Sequence, residues 1–522
     1  MPRYQYERLS DQDNDFLQWE SAKLPMHVAS LQILDAGPLR NEHGGIDFEA
    51  IKRLTESILH RIPRYRQKLA WIPDEDHAVW VDDPHFNIDY HVRHTSLPRP
   101  GTDAQLKRLM ARIMEQPLDR ARPLWETWVI EGLEGDRFAT VSKIHHCMID
   151  GASGVQLTEL LFSRTPERKI RKAPRFIPRP LPSDSELRSA ERLRRLATPL
   201  KAARALVEFA RDSEDPAGEI LRRARSIGRL ATWKTNPASA TPINGEVGLH
   251  RSVEWASMPL ADIKAVRRAL SCSVNDIVLT IATGAIRKLM QRRQIDPATL
   301  DFRVSAPVNV RRELQTGEMG NNVSSWVVRL PIGEEDPLTQ LQEVNRTTQA
   351  LKDSGDAAAV KTITEVLDWL PLDTQSLSVG TMNSIVTNVP GPPIPLHMLG
   401  SEVLQMIPFA PLLQNLGLTM GVLSYNGQVL WGFNADMDLL PDLDDFRVAI
   451  EKSFARLAEA AGVRLGDAAV RVAAPASDEA ATPRQKAEIP ERQETAKEAG
   501  TDATLAESLS DAALTRNPPR AI

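Results

Sequence analysis

Two hydrophobic periods alternate along this chain. Spacings of three and four residues mark one face of a helix, and runs of adjacent or every-other apolar residues mark strands. Ser10 can cap a helix with Asp13 at its third position, and Phe16, Leu17 and Trp19 supply its apolar contacts. Residues 26–34 read as a strand. Phe48, Ile51, Leu54 and Ile58 mark a helix over 47–61, which Pro63 stops. Residues 86–93 alternate as a strand, and Leu106, Leu109 and Ile113 share one face of a helix over 102–115. Trp125 and Trp128 read as core aromatics. Residues 138–144 then form a buried strand and 152–162 a helix.

The same alternation returns in the second half. Residues 248–255 read as a strand, and Leu260, Ile263, Val266 and Leu270 as a helical stripe. Asn275 stands where it can cap the next helix, which carries Ile277, Ile281 and Ile286. Strands over 302–310, 324–330 and 385–389 follow, with helices over 337–352 and 357–370. Asn426-Gly427 makes a hairpin of 416–423 and 429–433, and a helix over 442–460 closes the fold. This βα alternation predicts an α/β protein.

Between the halves the chain changes character. From 163 to 234 it holds 19 Lys or Arg against 9 Asp or Glu, while the whole chain carries a net charge of −5. Residues 166–182 are basic and proline-rich, an extended linker. Ser183 to Glu186 is a capping box, and Leu193, Leu196, Leu200, Ala203 and Val207 form one stripe. A second stripe runs through Ile220, Ala224, Ile227 and Ala231. Such a segment fits either a basic amphipathic element lying on anionic lipid or an interdomain crossover with a solvated arginine face. Nucleic acid is not expected as a partner, since the aromatic residues of this segment before Trp233 are only Phe176 and Phe209, too few for a stacking surface. The domain division is therefore 1–163, a linker and crossover over 164–245, a second domain over 246–470, and a disordered tail over 471–522.

An apolar fraction of 42% and a charged fraction of 25% belong to a soluble globular chain. No apolar run approaches the roughly 18 residues of a spanning helix, and the first ten residues lack the pattern of a signal peptide. The two cysteines, Cys147 and Cys272, offer no disulfide framework, which fits a reducing cytoplasm.

The chemistry concentrates in His145-His146-Cys147-Met148-Ile149-Asp150-Gly151, where a strand gives way to a helix. Successive strand residues face opposite ways, so one histidine is structural and the other is free to act. His146 is the candidate general base, because imidazole titrates near neutral pH, with His145 in support. Asp150 either orients the imidazole or braces the loop on an arginine, and Gly151 completes the turn. The plainer reading is two core histidines beside a helix-capping aspartate. Cys147 is read as packing. A buried arginine or aspartate among residues 117–125 could support the loop. No second ligand cluster accompanies the histidines, so no metal site is expected.

The pattern HHxxxDG resembles that of the CoA-dependent acyltransferases and peptide-condensation domains. Further stretches are similar to one branch, the bifunctional wax ester synthase/diacylglycerol acyltransferase family. These are Pro123-Leu124-Trp125 with Gly132, Asn275-Asp276, the stretch from Pro307 to Arg311 and Arg312, Gly320-Asn321, and Asn388-Val389-Pro390-Gly391-Pro392. The resemblance implies two acyltransferase-like domains, each a mixed sheet with flanking helices, joined by a helical crossover. It implies a tunnel reaching His146 from two sides, and Asn275 and Asp276 near the substrate. Pro123, Leu124, Trp125, Arg311, Gly320, Asn321, Pro390 and Gly391 are then structural. It also implies acyl transfer from acyl-CoA, a co-substrate with no further cofactor, to diacylglycerol or a long-chain alcohol. Such a protein would be cytoplasmic and touch membrane or lipid inclusions from the surface, and a homodimer stays open. A non-catalytic inclusion coat and a peptide-condensation activity are the alternatives.

Overall fold

The computed structural model describes residues 6–148, 158–212, 236–309, 323–353 and 380–466. The predicted helix over 357–370, the stripe from Ile220 to Ala231 and the tail after 470 lie outside the described residues. In chain order the strands are β1 (Glu7–Arg8), β2 (His27–Asp35), β3 (Gln67–Trp71), β4 (Ala78–Asp82), β5 (Val92–Ser96), β6 (Trp125–Leu133), β7 (Arg137–His145), β8 (Arg251–Pro259), β9 (Phe302–Asn309), β10 (Val323–Leu330), β11 (Ser384–Pro390), β12 (His397–Met398), β13 (Ser401–Phe409), β14 (Leu418–Tyr425) and β15 (Gln428–Asp436). The main helices are α1 (Asp11–Trp19), α2 (Phe48–Ile58), α3 (Asp103–Glu115), α4 (Asp184–Asp212), α5 (Leu260–Leu270), α6 (Val274–Arg292), α7 (Pro337–Asp353) and α8 (Leu443–Ala460).

The helices start where the sequence supplies caps. Ser10 Oγ accepts the Asp13 amide at 3.0 Å, Asp47 caps α2, and Thr102 and Gln105 form a capping box on α3. Two expectations differ. Residues 88–91 are a helical turn before β5, because the Asn87 side chain accepts the Asp89 amide at 2.9 Å and curls the chain. The cap of α6 is Ser273, which exchanges hydrogen bonds with Asp276 and leaves Asn275 inside the first turn.

Two mixed six-stranded sheets result. One has the order β12-β13-β2-β7-β6-β5 and is parallel only between β5 and β6. The other runs β10-β9-β11-β14-β15-β8, with β11 parallel to both its neighbours. A three-stranded sheet β1-β4-β3 flanks the first. The stretch 246–470 is not confined to one sheet, since β12 and β13 complete the first, β13 pairing along β2 from Phe409↔Ala29 to Val403↔Leu34. Where β13 crosses the second sheet, Gly421 and Gly432 sit opposite each other on β14 and β15. A Cβ on Gly432 would stand 1.9 Å from the Pro408 carbonyl oxygen, so the absence of a side chain permits the crossing.

Helix α3 also joins the sheets. Lys107 pairs with Glu254 of β8, and Lys143 of β7, fully buried, donates from Nζ to the α3-terminal carbonyls of Ile113, at 3.0 Å, and Gln116. Burial brings the Lys143 ammonium down to about 8. In the second sheet's core, α6 is buried on nearly all sides, which accounts for its apolar composition. Among the described residues no single helix is long and apolar enough to cross a membrane.

The basic linker is strapped to the first half. The Arg66 guanidinium lies 4.1 Å from the Phe176 ring centroid, and Arg179 grips both oxygens of Asp82 at 2.6 and 2.9 Å. Leu187 of α4 is buried on Ile72, Val79 and Val81. Glu191 of the same face holds Arg194 at 2.5 Å. Helix α4 thus docks through Leu187 and Glu191, and Leu193 and Leu196 of the predicted stripe turn outward, 69% and 78% exposed.

Candidate active site

Strand β7 ends at the histidine pair, and the chain then tightens into a 3-10 turn over His146–Met148. Alternation has already separated the two rings. His145 still belongs to the strand, opposite His27 of β2, and is fully buried. Its amide donates to the Leu124 carbonyl at 3.0 Å. The first residue of the turn, His146, donates its amide to the Met26 carbonyl at 2.8 Å. The residue is half-buried, its Nδ1 is enclosed, and its ring stacks on Phe16 of α1, with centroids 4.1 Å apart and planes at 19°. The imidazole is therefore held on one face by Phe16.

His145 is fixed by its contacts with Cys147 and Glu20. Its Nδ1 accepts the Cys147 amide at 3.2 Å, which leaves the ring proton on Nε2. That nitrogen lies 3.4 Å from Glu20 Oε1, within ion-pair range but without the alignment of a full hydrogen bond. Glu20 Oε1 also accepts the Met26 amide at 3.2 Å, and Oε2 accepts Arg120 Nε at 2.9 Å. Arg120 reaches on to the Leu17 carbonyl at 2.5 Å. Burial pushes the Glu20 carboxyl up, but His145 and Arg120 together outweigh it and hold it below the ordinary value. One carboxylate thereby ties α1, the start of β2 and the end of β7 around His146.

Behind this network His27 is kept neutral. Burial first, then the charge of Lys143 and the nearby His145, brings its imidazole well below the ordinary range. Burial raises the Cys147 thiol well above its usual value, which removes it as a nucleophile. Pro123-Leu124-Trp125 backs the site: Leu124 supplies the carbonyl that seats His145, and buried Trp125 donates from Nε1 to the Tyr65 carbonyl at 2.8 Å. Trp125 also stacks between Tyr65 and His91, at 4.4 and 4.6 Å.

The other predicted residues fall into three groups. Asp150, Gly151, Arg311, Gly320 and Asn321 lie outside the described residues. Asp276 is 1% exposed and its carboxylate is saturated by the Ser273 amide and hydroxyl, Asn345 Nδ2 at 2.9 Å and Thr348 Oγ1 at 2.7 Å. It ties α6 to α7, while half-buried Asn275 stands beside it in the first turn of α6. Pro390 ends β11, and Gly391 meets β14 so closely that a Cβ would lie 2.4 Å from the Ser424 carbonyl oxygen.

The sequence allowed a buried arginine or aspartate among 117–125 to support the loop; Arg120, 34% exposed, pairs with Glu20 beside His145. Glu20 itself was missed. It ends a short helix with no periodic mark, and only its position just before Met26 and His27 hints at its use. Among the described residues no cluster of three or more His, Cys, Asp or Glu could hold a metal ion.

Comparison with known proteins agrees with this architecture. The model of the wax ester synthase/diacylglycerol acyltransferase catalytic domain matches residues 9–278, and that of the family's C-terminal domain matches residues 319–458. A probable diacylglycerol O-acyltransferase of Mycobacterium tuberculosis strain H37Rv is 32% identical over 420 residues, 79% of this chain and 88% of that one. The fold is similar to the wax ester synthase/diacylglycerol acyltransferase of Marinobacter aquaeolei VT8, with a TM-score of 0.61 at 23% identity, covering 87% of this chain and 100% of that chain. It is also similar to the first condensation domain of the calcium-dependent antibiotic synthetase, with a TM-score of 0.59 at 16% identity, covering 89% of this chain and 98% of that chain.

Proposed function

The chain belongs to the wax ester synthase/diacylglycerol acyltransferase family, and from that membership and the site's geometry we propose how it works. It is an acyl-CoA-dependent O-acyltransferase, making triacylglycerol from diacylglycerol, wax ester from a long-chain alcohol, or both. His146 is the general base. Its imidazole takes the acceptor's hydroxyl proton as the oxygen bonds to the thioester carbonyl carbon. When the tetrahedral adduct collapses, the carbon–sulfur bond breaks and the imidazolium returns the proton to the CoA thiolate. No acyl-enzyme forms. Proton transfer of this kind contributes typically about 10²- to 10⁴-fold, so holding both substrates in a dry site supplies much of the remainder.

The observation that carries this reading is the division of labour between the histidines. His145 is buried and tied to Glu20, whereas His146 is half-buried, opens the turn and stacks on Phe16. Asn275 is the better candidate to touch substrate, since Asp276 has no acceptor capacity left. Acyl-CoA and acceptor approach His146 from opposite sides. The lipid acceptor is met at a membrane or inclusion surface through the outward face of α4 and its strap. There Ile177, Leu193 and Leu196 are exposed beside the exposed cations Lys172, Arg175 and Arg192.

Purified protein given palmitoyl-CoA with either dioleoylglycerol or hexadecanol tests the activity and its acceptor. Ester on a thin-layer plate together with free CoA supports the reading. CoA release without ester, or no reaction with either acceptor, overturns it.

A further inference from the structure

A cavity of about 330 Å³ opens between α2 and the chain that leaves the catalytic turn, and His146 does not line it. Its buried and half-buried lining is apolar at Leu54 and Ile58 from α2, Leu161 from the chain beyond the turn, and Leu399 from the β12–β13 connection, and polar at Ser57, Ser163 and His397. Its exposed lining is cationic, with Arg61 just past α2 and Lys169 and Arg171 on the strap. Among the described residues none of these three cations has a carboxylate within ion-pair distance. Two acids share the lining: Glu159, engaged by Arg164 at 2.9 Å, and Glu167. Three fixed positive charges therefore face one negative charge with no ion pair among the described residues, over a floor in which leucine and isoleucine side chains are interrupted by Ser57, Ser163 and His397. Such a site takes a molecule with an anionic head and an apolar body. The volume lies at the low end of the roughly 300–1,000 Å³ of small-molecule pockets, enough for one chain but not for two or for a nucleotide as well.

We propose that this cavity binds a long-chain fatty acid, its carboxylate on Arg61, Lys169 and Arg171 and its chain against Leu54, Ile58, Leu161 and Leu399. The site is separate from the esterification centre, and its occupancy is read without turnover.

Photolysis of the full chain with palmitate carrying a diazirine near its tail, followed by peptide mapping, tests this. Label is expected on peptides spanning 54–61 and 158–171. It should be displaced by palmitate but not by hexadecanol, which lacks the charge, or by inorganic phosphate, which lacks the chain. The triple variant Arg61→Ser, Lys169→Ser and Arg171→Ser, all at exposed positions, should bind palmitate at least about tenfold more weakly, the worth of one charge-assisted contact. Arg61→Lys with Arg171→Lys should stay within about threefold of wild type. Label confined to other peptides, equal displacement by hexadecanol, or unchanged affinity in the triple variant overturns the proposal. If acyl transfer fails while this labelling holds, only the catalytic reading is lost.

Discussion

Glu20→Gln removes one negative charge and almost no volume from beneath the histidine pair. The carboxylate receives the Met26 amide and Arg120 and faces His145 Nε2. Glutamine keeps one oxygen and turns an amide nitrogen towards groups that are themselves donors. One or two charge-assisted hydrogen bonds are lost, at roughly 1.5–3 kcal/mol each. Arg120 is 34% exposed and regains some hydration, so about 2–4 kcal/mol is expected. Unfolding entropy of roughly 2.1 cal/mol/K per residue gives about 1 kcal/mol/K over the compact unit Met1–Ala474, so Tm should fall by about 2–4 °C. The larger effect is on turnover. His146 follows His145 directly, and a displacement of about 1 Å at a reacting group costs about 100-fold, so kcat should fall about 10- to 100-fold with little change in KM. A double-mutant cycle with His145→Asn should show coupling of at least about 1 kcal/mol. The pH dependence has a definite sign. The folded carboxyl sits below its unfolded value near 4.3, so its stabilisation is complete above that pH and fades as pH falls through the folded value. The gap in stability between wild type and variant should therefore hold at neutral pH and close below about pH 4. Wild-type kcat and Tm in the variant, or zero coupling to His145, would refute this view of Glu20.

Asp276→Ala removes the carboxylate half of the α6 capping box and leaves Asn345 and Thr348 without their acceptor; denaturant titration should show a loss of about 2–4 kcal/mol. Burial acts against the Asp276 carboxylate, but its hydrogen bonds from Ser273, Thr348 and Asn345 lower it overall, so that loss should shrink only in acid. Gly432→Ala puts a methyl group against the Pro408 carbonyl and should cost about 1–3 kcal/mol by thermal unfolding; an unchanged Tm would mean that β13 crosses elsewhere. Native protein treated with a thiol reagent at pH 8 should label Cys272 before Cys147, and Cys147→Ala should retain acyl transfer within about threefold, as expected for a packing residue.

What the sequence made legible was local. Ser10, Thr102 and Ser183 announced their helices, and Asn426-Gly427, both with positive φ, announced its hairpin. A separation of His145 from His146 was expected from strand alternation, and the end of β7 at His145, with His146 opening the turn, completes it. Features made by distant pairing left no such mark. Nothing in 401–409 says that it will lie on β2, because a strand's partner is chosen by the whole sheet. The stripe through Leu193 and Leu196 suggested the face that would pack, but docking went to the opposite side. Leu187 found an apolar seat on the small sheet, and Glu191 lies between Arg8 and Arg194. Asn275 was read as the cap because capping residues look alike in sequence; the reciprocal bonds of Ser273 and Asp276 decide the register.

The central claim is that one imidazole carries the proton between acceptor and thioester. Single-turnover acyl transfer by His146→Ala, with circular dichroism showing the wild-type fold, tests it most directly. Loss of at least about 10²-fold in the chemical step, with acyl-CoA binding intact, is the predicted result. A variant that esterifies at the wild-type rate contradicts it.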